Sequence, residues 1–155
     1  MSGARARELR LADHADVIRL TSEFHRQSVY RSHPLSLAKV DRLFERALSQ
    51  PDHHAVIAAD TVTDRMQGYL MGVCFEHYFS NTLTVSDLGF YVAEGWRSPQ
   101  LARAMLKNLE AWAWSMGAAD ISLGVTAGIA DPQVVKLYER LGYARGQYMV
   151  VKRQT

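Results

Sequence analysis

The chain has 155 residues, 48% apolar and 22% charged, the proportions of a soluble globular protein long enough to bury a core as one domain over residues 1–155. A net charge of +2 with dispersed basic residues argues against nucleic acid as a partner, and no apolar stretch approaches the length of about 18 residues that would suggest a membrane partner. Cys74 is the single cysteine, which excludes an internal disulfide framework and a cysteine-built zinc site, and without an apolar leader the expected compartment is the cytoplasm.

Glu8-Leu9-Arg10-Leu11-Ala12 alternates as a first strand, and Asp13 is placed to cap a helix over residues 14–30 with Val17, Ile18, Leu20 and Phe24 on one stripe. Ser32-His33-Pro34 breaks that helix, and a second over residues 36–49 carries Leu37, Val40, Leu43, Phe44, Ala47 and Leu48 at helical spacing. Residues 55–59 read as a short buried strand, 61–67 as a polar hairpin, 68–78 as a long β-branched and aromatic strand, and 83–92 as the strand after the Ser80-Asn81 turn. Ser98-Pro99 opens a helix that runs to Met116 and stops at Gly117, since serine favours the N-cap and proline the first helical position. A strand over residues 121–125, a helix over 132–141 and a closing strand over 143–152 complete the order β-α-α-β-β-β-α-β-α-β, a mixed α/β (α+β) sheet with helices on its faces.

Two segments carry chemistry. In the bend Trp96-Arg97-Ser98-Pro99-Gln100-Leu101-Ala102 a strand feeds directly into a helix N-terminus, where Gln100, Leu101 and Ala102 are expected to aim free N–H groups at an anion, with Arg97 or Arg103 adding charge. Taken alone, a Ser-Pro helix start is more often just a capped helix. About forty residues later, Leu137-Tyr138-Glu139-Arg140-Leu141-Gly142-Tyr143 sets a tyrosine on a short helix ending at a glycine. The six histidines show no metal-binding spacing, so no metal is expected.

From residue 88 to residue 152 the chain resembles the GNAT superfamily of acetyl-CoA-dependent N-acetyltransferases. Val92-Ala93-Glu94-Gly95-Trp96-Arg97-Ser98 occupies its V-x-P-E-x-R-G pattern, and residues 97–102 occupy its Q/R-x-x-G-x-G/A bend, with Gln100 in place of the first motif glycine. Residues 131–143 follow its N-x-x-A-x-x-L-Y-E-K-L-G-F/Y signature, with Asp131 in place of the asparagine. The resemblance implies a GNAT-like fold and transfer of an acetyl group from acetyl-CoA directly to an amine. It further implies that the bulged strand end at Phe90, Tyr91 and Val92 would pair its backbone with the pantetheine arm. Arg97, Ser98, Gln100, Leu101, Ala102 and Arg103 would hold the pyrophosphate, Asp131 would cap the following helix beside the cofactor, and Tyr138 would protonate or hydrogen-bond the departing thiolate.

For the base, Asp87 lies where several family members place a glutamate, and Glu76 and His77 on the preceding strand are rivals. Each of the three taken singly reads more readily as a solvated strand-end residue than as a catalyst. The acceptor, a small-molecule or protein amine, is expected between the first two helices around Phe24, Tyr30 and His33, with His77 at the end of the long strand. An exposed Trp114 would mark a homodimer surface. The alternative to an enzyme is an acyl-CoA-binding regulatory protein of the same fold, motivated by Pro99 and Gln100 in the pyrophosphate bend.

Overall fold

The computed structural model describes residues 3–125, 127–129, 131–146 and 150–154. The elements are β1 (Arg5–Glu8), α1 (His14–Gln27), α2 (Leu37–Ser49), β2 (His54–Asp60), β3 (Met66–Glu76), β4 (Leu83–Val92), α3 (Pro99–Ser115), β5 (Asp120–Ser122) and α4 (Asp131–Arg140). The strands form one sheet in the order β1-β2-β3-β4-β5, antiparallel except for the β4–β5 pair. The mixed α/β architecture expected from the sequence is thus present. The middle of the expected closing strand, residues 147–149, lies outside the described residues, and residues 143–146 and 150–154 on either side carry no strand.

Alternation along each strand sorts the core into two layers. Ile57, Ala59, Leu70, Cys74, Val85 and Val92 face α3, which returns Leu101, Met105, Leu106, Leu109 and Ala113, with Tyr138 of α4 beside them. Val56, Ala58, Met66, Tyr69, Met71 and Tyr91 face Val17 and Leu20 of α1 and Phe44 of α2. Fully burying one such leucine contributes about 1.5–3 kcal/mol, so these stripes, more than helix propensity, hold the helices in place. Trp112 lies at the rim of the first layer with its indole N–H donated to the Pro51 carbonyl at 2.8 Å, and Trp114 is 53% exposed.

The first strand sits earlier than its alternation suggests. Arg5–Glu8 pairs with β2, Leu11–Asp13 forms a 3-10 turn, and Leu11 is 76% exposed. Electrostatics sets this register: the Arg7 guanidinium clasps both oxygens of the Asp13 carboxylate at 2.8 Å and lies 2.9 Å from Asp60, which is fully buried. Asp13 therefore makes no side-chain cap to α1; its carboxylate takes Arg7 and the Arg10 N–H instead.

Candidate functional site

Val85 and Val92 both face α3 although they stand seven residues apart, a spacing that strict alternation would put on opposite faces. The ladder gives the reason. Met71 pairs with Gly89 while the next residue, Gly72, pairs with Asp87, so Leu88 is an extra residue in a β-bulge. The bulge puts Asp87 on the same face as Val85, Phe90 and Val92. On the other edge, β4 pairs with β5 only through Thr84–Asp120, Val85–Ile121 and Ser86–Ser122, and beyond them the strands part. At that fork the Gly124 N–H donates to Asp87 Oδ1 at 2.7 Å. Burial raises the Asp87 carboxyl above its ordinary value, and the Gly124 hydrogen bond offsets only part of this.

Tyr138 reaches the same fork from α4. The helix ends with Gly142 at φ +94°, the Tyr143 N–H on the Tyr138 carbonyl at 3.0 Å and the Gly142 N–H on the Glu139 carbonyl at 3.1 Å. This is a Schellman ending, and the Tyr143 ring supplies its usual apolar contact, 5.9 Å from the Tyr138 ring. The Tyr143 hydroxyl donates to Glu110 Oε1 at 3.0 Å, anchoring the arrangement to α3. Tyr138 itself is only 6% exposed. Burial, then the negative charge of Asp87 and the neighbouring Tyr143, push its phenol well above the ordinary tyrosine value.

The anion bend is narrower than the sequence suggests. Ser98 caps α3 by accepting the Leu101 N–H at 3.1 Å, and the Ala102 N–H already donates to the Ser98 carbonyl at 3.1 Å. Among the described residues, the N–H groups of Ser98 and Gln100 have no protein acceptor. Arg97 is turned toward α1: Nε donates to the Val92 carbonyl at 2.7 Å, one terminal nitrogen to Gln27 Oε1 at 3.3 Å, and the guanidinium lies 5.7 Å from the Tyr91 ring centre. Arg103, exposed near the start of α3, remains the cation available to an anion there. Two free N–H groups, the positive end of a 17-residue helix and one arginine suit a diphosphate.

On the opposite side of β4, the Phe24 ring stands 5.2 Å from the Tyr91 ring and against Gly89. Tyr30 and His33 share the loop after α1, with ring centres 5.8 Å apart, and the Val29 N–H donates to the Ala127 carbonyl at 2.9 Å. That bond ties the loop to the segment leading into α4, where the Asp131 carboxylate holds the Gly128 and Ile129 N–H groups at 3.1 Å. The site thus gathers Asp87, Phe90, Val92, Tyr138 and, across the strand, Phe24 and Tyr91. Glu76 and His77 lie elsewhere. Glu76 pairs with Leu83 at the far end of the β3–β4 ladder, about 13 Å from Asp87 at about 3.3 Å per residue, and His77 clusters there with Tyr78 and Phe79.

Sequence reasoning missed Gln27 and Glu23. The Gln27 amide donates to the Tyr91 hydroxyl at 3.0 Å, and that hydroxyl donates to Glu23 Oε2 at 3.4 Å. These partners are more than sixty residues apart, and no local spacing announces them. No group of three or more His, Cys, Asp or Glu side chains is arranged to hold a metal among the described residues, and no helix there is long and apolar enough to cross a membrane.

Comparison with known proteins agrees with this fold. The chain aligns over 99% of its length, and 96% of the other's, with an aminoglycoside acetyltransferase, meta-AAC0020, from an uncultured soil metagenomic sample (TM-score 0.73, 16% identity). It is similar to glucosamine-6-phosphate N-acetyltransferase from Arabidopsis thaliana (TM-score 0.72, 18% identity, 97% of each chain). It is also similar to AAC(6')-Iy, solved in complex with the bisubstrate analogue CoA-S-monomethyl-acetylneamine (TM-score 0.74, 16% identity, 99% of each chain). No match is found among curated proteins. The family model for the acetyltransferase (GNAT) family matches residues 16–143, most of the chain, and the chain belongs to that family.

Proposed function

We propose that this protein transfers an acetyl group from acetyl-CoA directly to an amine. The observation that carries the reading is a buried tyrosine within electrostatic reach of a half-buried aspartate at the fork between β4 and β5. The unpaired edge of β4 beyond Ser86 would take the pantetheine amides, and the α3 bend would take the pyrophosphate through Ser98, Gln100 and Arg103. The amine nitrogen attacks the thioester carbonyl, the carbon–sulfur bond breaks, and its electron pair leaves on sulfur. Asp87, directly or through one water, takes the proton released from nitrogen. Tyr138 donates to the sulfur. Because its phenol is pushed above its usual range while a thiol ionises near about 8.5, it acts chiefly as a hydrogen-bond donor as the bond breaks, and full protonation follows from solvent.

Calorimetry with acetyl-CoA on wild type and Tyr138→Phe tests this reading. Both should bind, while turnover of the variant on any accepted amine should fall about a hundredfold. Absence of acetyl-CoA binding by wild type would sink the proposal. A second reading, acyl-CoA binding without turnover, draws on the small number of free N–H donors in the α3 bend. Binding of CoA with no acetylation across a broad amine panel would favour it.

A further inference from the structure

Val29, Arg31, Ser32 and Arg153 line an open cavity of about 340 Å³ between the loop after α1 and the C-terminal segment. Among the described residues neither Arg31 nor Arg153 forms an ion pair with a carboxylate. Both arginines are exposed, and their planar guanidinium forks match the oxygens of a phosphate or carboxylate. Ser32 adds a hydroxyl donor.

The cavity's loop is tied to the segment that leads from β5 toward α4. Its Val29 wall donates an N–H to Ala127 and presses on Gly128, whose φ of +73° and closeness to Val29 leave no room for a side chain. The same segment begins at Gly124, which is bonded to Asp87. The Gly124–Asp87 and Val29–Ala127 hydrogen bonds thus tie a carboxylate suited to an ammonium, and the loop that carries Arg31, to the same segment of chain.

We infer that the cavity lined by Arg31, Ser32 and Arg153 binds the anionic group, phosphate or carboxylate, of an acceptor whose amine lies at Asp87. The inference rests on the acetyltransfer reading and names its substrate class: small amines that also carry a negative charge. Polycationic amines would meet the two arginines as like charges.

Amide chemical shifts of the isotope-labelled protein, saturated with CoA, report the site during titration with inorganic phosphate and, separately, acetate. Saturable shifts at residues 29–32, weakened tenfold or more in both Arg31→Gln and Arg153→Gln, are expected, and the tighter of the two anions identifies the group preferred. Among amines, O-phosphoethanolamine or β-alanine should bind more tightly than ethanolamine, and spermine more weakly. Shifts that do not saturate, that survive both substitutions, or a preference for spermine would overturn the inference. Acetyl-CoA calorimetry on the same sample separates the two claims. Acetyl-CoA binding without anion binding removes the pocket alone; anion binding without acetyl-CoA binding removes the acetyltransfer reading and leaves an anion site.

Discussion

Burial pushes both the Tyr138 phenol and the Asp87 carboxyl upward, with opposite consequences for their chemistry. A raised phenol stays protonated through neutral pH and is ready to donate, whereas a raised carboxyl becomes a stronger base but needs a higher pH to ionise. In a pH profile of kcat/KM, activity should therefore rise through an acidic limb lying above the ordinary carboxylate value of about 3.9, with no Tyr138 limb below about pH 10. Asp87→Asn should remove that acidic limb and lower kcat/KM at neutral pH by about a hundredfold; a variant that keeps the limb would exclude Asp87 as the base. Both proposed roles start from the sequence, Tyr138 from its seven-residue segment and Asp87 from the position where several family members place a glutamate. The anion bend was overread because the serine that announces the helix start uses its hydroxyl on Leu101, and Ala102 is already inside the helical bonding pattern. Arg97 lies within the bend in sequence, yet its turn toward Tyr91 of β4 and Gln27 of α1 depends on tertiary contacts that no local pattern reveals.

At the scale of elements, the ending of α4 was legible because Gly142 at a left-handed φ follows directly from the need to close a Schellman turn. Gly142→Ala should cost about 1–2 kcal/mol in denaturant unfolding, since a Cβ is disfavoured at that dihedral, and should also lower turnover through displacement of Tyr138. An unchanged midpoint would show that the turn adapts. The bulge that the family resemblance implies near Phe90, Tyr91 and Val92 has its extra residue at Leu88, a position that only the register of β3 against β4 fixes, and Leu88 is turned to solvent at 51% exposure. Glu76 and His77 stand as rivals to Asp87 in the sequence, and only the register of β3 against β4 shows that Glu76 and Asp87 lie at different positions along the ladder.

For the whole molecule, β1 is held by a buried charge cluster as well as by its ladder. Burial alone would push the Asp60 carboxyl up, but Arg7 beside it outweighs that and holds it below its ordinary value. Its contribution to stability is therefore complete above the ordinary carboxylate range and is lost as pH falls through the lowered folded value. Asp60→Asn should destabilise the fold by about 1–3 kcal/mol at neutral pH, since Arg7 keeps Asp13 but loses its second carboxylate, and should flatten the acid side of the stability profile; urea unfolding at several pH values measures both. The sequence pattern misplaced this strand because its register depends on Arg7 meeting Asp60, a contact across more than fifty residues. The parting of β4 from β5 after three residue pairs has a consequence for the energy landscape as well. The free protein carries an unfinished hydrogen-bond ladder, and a ligand with peptide-like amides can act as its missing strand. Donor binding is then partly a folding step: CoA at a hundred times its Kd should add about 2.7 kcal/mol to unfolding. The gain should be local, slowing amide hydrogen exchange over residues 88–92 while leaving the β1–β2 pair unchanged.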